Sequence, residues 1–198
     1  KGDARHVSIG GWFLVCVWVT VASAALGVVL FRFNAFLGVL TLLVAYWAFS
    51  GHRALGIRQT GPNVPDAIGS AVALAAAGLF IAYIRSVQFP WEPSVIYSTL
   101  GTLVTVALYD LTRFAFPKRW FANLWLHEHL VKMIGAWGSA LAAFAGTVFG
   151  TWQPYSQLLP SIIPTALMLG FVLYFRGRGP NWSSATSREG RGIGKALM

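Results

Sequence analysis

Between positions 109 and 132 the chain collects Asp110, Arg113, Lys118, Arg119, His127, Glu128, His129 and Lys132 against long apolar segments. Groups of these types form ion pairs, carry protons or ligate metals, and each use demands its own spacing. Asp110 and Arg113, three residues apart, and Glu128 and Lys132, four apart, each share a helix face and are expected to form buried charge pairs. His52 with His127 or His129 could supply the two axial ligands of a b-type haem from different spans, so haem b is the one cofactor put forward. His129 and Met133 lie on one helix and cannot approach opposite faces of a haem. On a helix His127 and His129 point about 200° apart, so they chelate one ion only where the helix has not begun. No His-Glu-x-x-His pattern occurs, and no metal site is assigned. Asp110, His129 and Lys132 form a candidate proton or solute path, since ionisable groups inside a membrane are functional suspects. The plainer account is that the charges neutralise one another at helix ends and the histidines sit among wet headgroups.

The elements that must position these groups follow from composition. Apolar residues make up 56% of the 198 and charged residues 11%, against about 25% charged in an average soluble domain, so most of the surface must face hydrocarbon. Cys16 is the single cysteine and lies in the first apolar run, which excludes an intramolecular disulfide. The length allows six spans of about 20 residues and no second folded domain. The expected fold class is therefore an all-α polytopic membrane bundle, with 1–175 as one transmembrane domain and 176–198 as a basic, Gly- and Ser-rich tail without fixed structure.

Spans are expected at 7–31, 35–51, 67–84, 94–116, 127–150 and 158–175. The first also fits a signal peptide, through its basic start, apolar core and Ala22-Ser23-Ala24, but a retained span is the simpler reading. Residues 32–34 make a tight connection. Gly, Pro, Asn and Asp accumulate over 56–66, the strongest turn signal in the chain, which predicts a loop. Residues 85–93, with Trp91, read as an interfacial loop. Pro117 should stop the fourth span, and 118–126, with Trp120, Phe121 and Trp125, should lie along the membrane surface. Residues 151–157 read as a loop, and Pro160 and Pro164 should bend the start of the sixth span.

Gly69, Ala73 and Ala77, and again Gly138, Ala142, Gly146 and Gly150, recur every four residues, the pattern of helix-packing stripes. With six spans, Lys1, Arg5, Arg53, Arg58, Lys118, Arg119, Arg176, Arg178, Arg188, Arg191 and Lys195 fall on one side of the membrane, and only Arg32 and Arg85 on the other. The positive-inside rule then puts both termini in the cytoplasm and the charged girdle, with His52, at the cytoplasmic edge. The net charge of +9 follows from that topology, with anionic lipid as its partner, and no basic soluble face with interleaved aromatics points to nucleic acid. A faint echo aligns 37–46 with 100–109, pairing Leu40 with Leu103 and Tyr46 with Tyr109. It would make spans one and two a parallel copy of spans three and four.

The run His129-Leu130-Val131-Lys132-Met133-Ile134-Gly135, the small-residue helix up to Gly150, and Leu159-Pro160 with Pro164-Thr165 before an Arg-terminated helix resemble the C-terminal half of a group of uncharacterised bacterial multi-spanning membrane proteins. Phe49-Ser50-Gly51-His52-Arg53-Ala54-Leu55 resembles a segment of the same group, in which an aromatic residue is expected at the place of His52. The resemblance implies the fold, a bacterial inner (plasma) membrane location, and no chemistry. The function expected is a non-catalytic membrane subunit or accessory protein packing against partner helices, lipid or pigment. A haem b redox protein is the alternative, and a small transporter or proton-handling protein the third reading.

Overall fold

The computed structural model describes residues 4–31, 35–86 and 93–176, and they are all-helical. The connections at 32–34 and 87–92, with Trp91, and the tail from 177 onward lie outside the described residues. The helices are α1 (Ala4–Leu30), α2 (Ala35–Thr60), α3 (Val64–Ser86), α4 (Pro93–Thr112), α5 (Lys118–Val148) and α6 (Tyr155–Arg176). Short 3-10 turns follow α4 at Arg113–Ala115 and α5 at Gly150–Trp152.

Five stretches are long and apolar enough to cross a membrane: Arg5–Leu30, Val64–Ser86, Pro93–Ala115, Leu124–Val148 and Tyr155–Phe175. α2 is not among them. It is the helix that α1, α3, α4 and α5 all pack against, and it buries Val39, Leu40, Leu43, Val44, Tyr46, Trp47 and Ala48 among them. A helix sheathed by others need not present hydrocarbon outward, so it can carry Tyr46, Ser50 and Arg53 where partners await them. The sheath helices are the reverse: Val29 in α1 and Leu79 in α3 remain 79% and 74% exposed, as lipid-facing side chains are.

Side-chain contacts fix the helix directions. Phe49 meets Gly69, and Arg53 meets Asp66, so α3 runs antiparallel to α2. Trp47 meets Gly135, Ser50 bonds Lys132, and Gly51 bonds His129, so α5 is antiparallel to α2 as well. Phe36 and Leu40 cluster with Val95 while Tyr46 reaches Asp110, so α4 runs parallel to α2. α6 returns antiparallel along α5, with Pro164 on Gly138 and Gln157 on Gly146.

Several boundaries depart from expectation. The turn-rich stretch 56–66 is not a long loop, because its residues serve as helix caps. Gly61, at φ +72°, ends α2 by donating to the Ile57 carbonyl at 2.9 Å, the left-handed conformation that glycine adopts without a Cβ clash. Two residues later Asn63 caps α3, and its N–H is received by the Asp66 carboxylate at 2.9 Å, half of a capping box. Pro117 does stop the fourth helix: Phe116 before it is driven to φ −82°, ψ 143°, the extended geometry a following proline demands. The same proline then starts α5 at Lys118, so 118–126 is the first part of a continuous helix and not a separate surface segment. α6 begins at Tyr155, inside the expected loop, and runs on through Pro160 and Pro164.

The small-residue stripes divide by position. A Cβ on Gly69 would sit 2.4 Å from the Phe49 ring, one on Gly138 2.5 Å from Pro164, and one on Gly146 2.6 Å from the Gln157 side chain. Ala73, Ala77 and Ala142 are buried alongside them. Gly150 departs from the stripe: it lies in the 3-10 turn, exposed, with nothing within 4 Å of a Cβ. Two glycines outside the four-residue pattern also have no room for a Cβ, Gly51 at 2.9 Å from Met133 and Gly135 at 2.8 Å from the Trp47 indole. Gly138→Leu is therefore expected to lower the detergent melting temperature by the equivalent of about 1–3 kcal/mol or more. Gly150→Leu should melt with the wild type.

Candidate functional site

Four of the charged residues, Asp110, Arg113, Glu128 and Lys132, converge in the core, while Lys118 and Arg119 stay exposed. Asp110, near the end of α4, is 1% exposed, yet four donors surround its carboxylate. Lys132 Nζ reaches Oδ1 at 2.5 Å and Arg113 Nη2 reaches it at 3.2 Å. Tyr46 donates its phenol proton to Oδ2 at 2.8 Å, and the Ser50 hydroxyl donates to the same oxygen. That uses all the lone-pair sites a carboxylate possesses. Glu128, one turn before Lys132 on α5, accepts Arg113 Nη1 at 2.6 Å and the Tyr109 phenol at 2.8 Å, and stands 3.5 Å from Lys132 Nζ. Lys132 completes its donor set on Ser50 Oγ at 2.8 Å. Thus the pairs at i,i+3 and i,i+4 are present, and they are cross-linked into one network over α2, α4 and α5.

The network continues into α3. The Tyr46 phenol also lies 2.9 Å from Ser70 Oγ, which donates to the Asp66 carbonyl at 3.0 Å. The Asp66 side chain, itself buried, accepts Arg53 Nε and Nη2 at 3.0 Å each, and Asn63 accepts a further guanidinium proton. Asp110 and Glu128 against Arg113 and Lys132 sum to zero charge, as do Asp66 and Arg53. This neutrality is what makes burial tolerable, because an uncompensated ion in low dielectric loses several kcal/mol of hydration.

α5 starts at Lys118, so Glu128 and Lys132 lie roughly 15 and 21 Å along the helix from its beginning, and about 6 and 12 Å into the apolar stretch that starts at Leu124. His52 and His129 lie outside the hydrogen bonds of the network. His52 is exposed. His127 meets the Phe175 ring edge-on at 6.4 Å between centroids. His129 Nδ1 lies 2.8 Å from the Gly51 carbonyl, so one of its ring nitrogens is engaged by backbone. Among the described residues no three His, Cys, Asp or Glu side chains gather as a metal-ligand group.

Tyr46, Ser50, Ser70, Tyr109, Arg53 and Asp66 were not singled out in the sequence as parts of this site. Tyr46 and Ser50 could have been found as polar groups four apart, hence on one face, in an apolar run. The remaining members carry no local signal, since the contacts that draw them in, Arg53 with Asp66, Tyr109 with Glu128 and Ser70 with Tyr46, span 13 or more residues. The two tyrosines matched by the internal echo hold like positions, Tyr46 on one carboxylate and Tyr109 on the other. No family model, curated protein or solved structure matches the chain.

Removing one partner of a buried ion pair is destabilising by about 3–5 kcal/mol, because the other charge is left behind. Asp110→Asn is expected to produce a loss of that order, and so is Lys132→Met. The double variant removes one charge of each sign and leaves Arg113 on Glu128, so it should lose markedly less than the sum of the two. Thermal unfolding of the four proteins in detergent measures this coupling.

Proposed function

We propose that this chain is a six-span bacterial inner-membrane protein with both termini in the cytoplasm, acting as a non-catalytic subunit or accessory protein. α2 would be the central span, sheathed by α1, α3, α4 and α5, with α6 packed outside α5. The observation that carries the reading is the saturation of the ion network: its carboxylates and cations are turned on one another and on tyrosine and serine hydroxyls. Such a network holds helices in register and does not present a reactive group to a substrate. The engagement of His129 by backbone and the exposure of His52 favour this over an axial haem pair. The resemblance to bacterial multi-spanning proteins and the basic bias of one face support the location and orientation.

Two measurements test it. The ultraviolet and visible spectrum of the purified protein, before and after dithionite, is expected to show no Soret band, and a band that sharpens on reduction would overturn the reading in favour of a redox protein. For topology, single cysteines at Lys118 and Gln153 in a Cys16→Ala background are labelled with an impermeant maleimide in right-side-out vesicles. Gln153→Cys should react at once and Lys118→Cys only after permeabilisation, and the opposite order refutes the assigned orientation.

A further inference from the structure

α5 packs closely against α2 and α6, and α4 reaches it through the long side chains of the ion network: Arg113 and Tyr109 on Glu128, Asp110 on Lys132. Helices bridged by side chains in this way leave a cleft between them. It has a volume of about 310 Å³, with Thr105 and Val106 on the α4 side, Leu124, His127 and Val131 on the α5 side, and Trp47 of α2 beneath. Tyr109, Glu128 and Lys132 also border it, but their polar atoms are turned into the network, so the accessible wall is hydrocarbon. Towards the start of α5 a wider opening of about 490 Å³ is bounded by Arg119, Trp120, Leu124 and His127. Leu124 and His127 belong to both, so the two spaces adjoin along one face of α5.

Along that face the surface changes character in the order in which a lipid does. Lys118, Arg119 and Trp120 are exposed, and neither cation has a carboxylate partner among the described residues. The apolar stretch of α5 begins at Leu124, about 8 Å along the axis from Arg119, and Val131 lies about 10 Å further on. A bilayer has an interfacial layer of about 5–8 Å over a hydrocarbon core about 30 Å thick. Arg119 and Trp120 therefore fall at the level of the phosphates, and the cleft falls within the acyl region of one leaflet. The occupant must also be thin. An α-helix with its side chains is about 10–12 Å across, and the bonds of Arg113 and Tyr109 to Glu128, at 2.6 and 2.8 Å, tie α4 to α5 at the border of the cleft. A partner helix cannot enter between them, whereas a single acyl chain can.

We propose that this cleft holds an anionic phospholipid, with one acyl chain between Thr105, Val106, Leu124 and Val131 and its phosphate met by Arg119. The site rests on the membrane-bundle reading above, but the two fail separately: a wrong orientation reverses the cysteine labelling, whereas a wrong cleft changes only lipid retention. Native mass spectrometry of the full chain in detergent, with phosphatidylglycerol and phosphatidylcholine of the same acyl chains at equal concentration, reads that retention. One phosphatidylglycerol is expected to stay bound in preference to phosphatidylcholine. Arg119→Gln should lower its apparent affinity about fivefold, the worth of one cation at an anionic surface. Arg5→Gln, the same charge change at an exposed position at the start of α1, should leave it unaltered. Thr105→Trp, also at an exposed position, fills the cleft with an indole and should abolish retention of either lipid. Equal affinity in Arg119→Gln and Arg5→Gln, unchanged retention in Thr105→Trp, Arg119-dependent binding of free glycerol 3-phosphate, or a second copy of the chain retained in place of the lipid overturns the proposal. If Thr105→Trp does not fold, the comparison of Arg119→Gln with Arg5→Gln decides alone.

Discussion

The bundle depends on the Asp110 carboxylate and the donors that enclose it. A single buried negative charge draws Tyr46 and Ser50 from α2, Arg113 from the end of α4 and Lys132 from α5 to one point. Where helices are bathed in hydrocarbon there is little hydrophobic preference for one helix register over another, and packing and polar contacts must set it. A carboxylate with four donors does so sharply, because any slide of α4 against α5 strands a charge, and any slide of α2 takes the Tyr46 and Ser50 hydroxyls away from it. The second carboxylate, Glu128, shares Arg113 with the first and so ties the two pairs into one unit.

The composition of α2 follows from this. It is the helix in which polar side chains are most useful, and the one most covered by others, and the two facts support each other. Its neighbours approach closely where glycine or alanine removes the obstacle: α3 at Gly69 and Ala73, α5 at Gly135. Bulk on α2 fills those gaps, Phe49 over Gly69 and Trp47 over Gly135. Trp47 thereby lines both the space beside Tyr109, Glu128 and Lys132 and the groove that α4, α5 and α6 form with α2.

Much of this was legible in the chain itself. Helical periodicity and apolar length identified the helices, and the i,i+3 and i,i+4 spacings of Asp110 with Arg113 and Glu128 with Lys132 identified the pairs, because helical neighbours are fixed by local geometry alone. Pro117 marked a true break, since proline constrains the residue before it whatever the tertiary context. The turn-forming residues near Gly61 were visible too, but composition does not distinguish a long loop from two caps back to back. The spacing rule likewise admitted Gly150, which lies in a turn, and passed over Gly51 and Gly135, which do not repeat every four residues.

What the tertiary structure alone decided is which residue meets which across helices. Tyr46 and Asp110 are 64 residues apart, Ser50 and Lys132 are 82, and no local pattern in either segment specifies the other. The same holds for the cleft between α4 and α5, whose wall residues look like ordinary packing residues until the helices are assembled around it. Sequence determines what a helix can be, an all-α chain with long apolar spans and charges it must neutralise, because hydrogen bonding and hydropathy act over a few residues. Which charges neutralise one another depends on the close approach of backbones at Gly51, Gly69 and Gly135, and close approach exists only once the helices have packed.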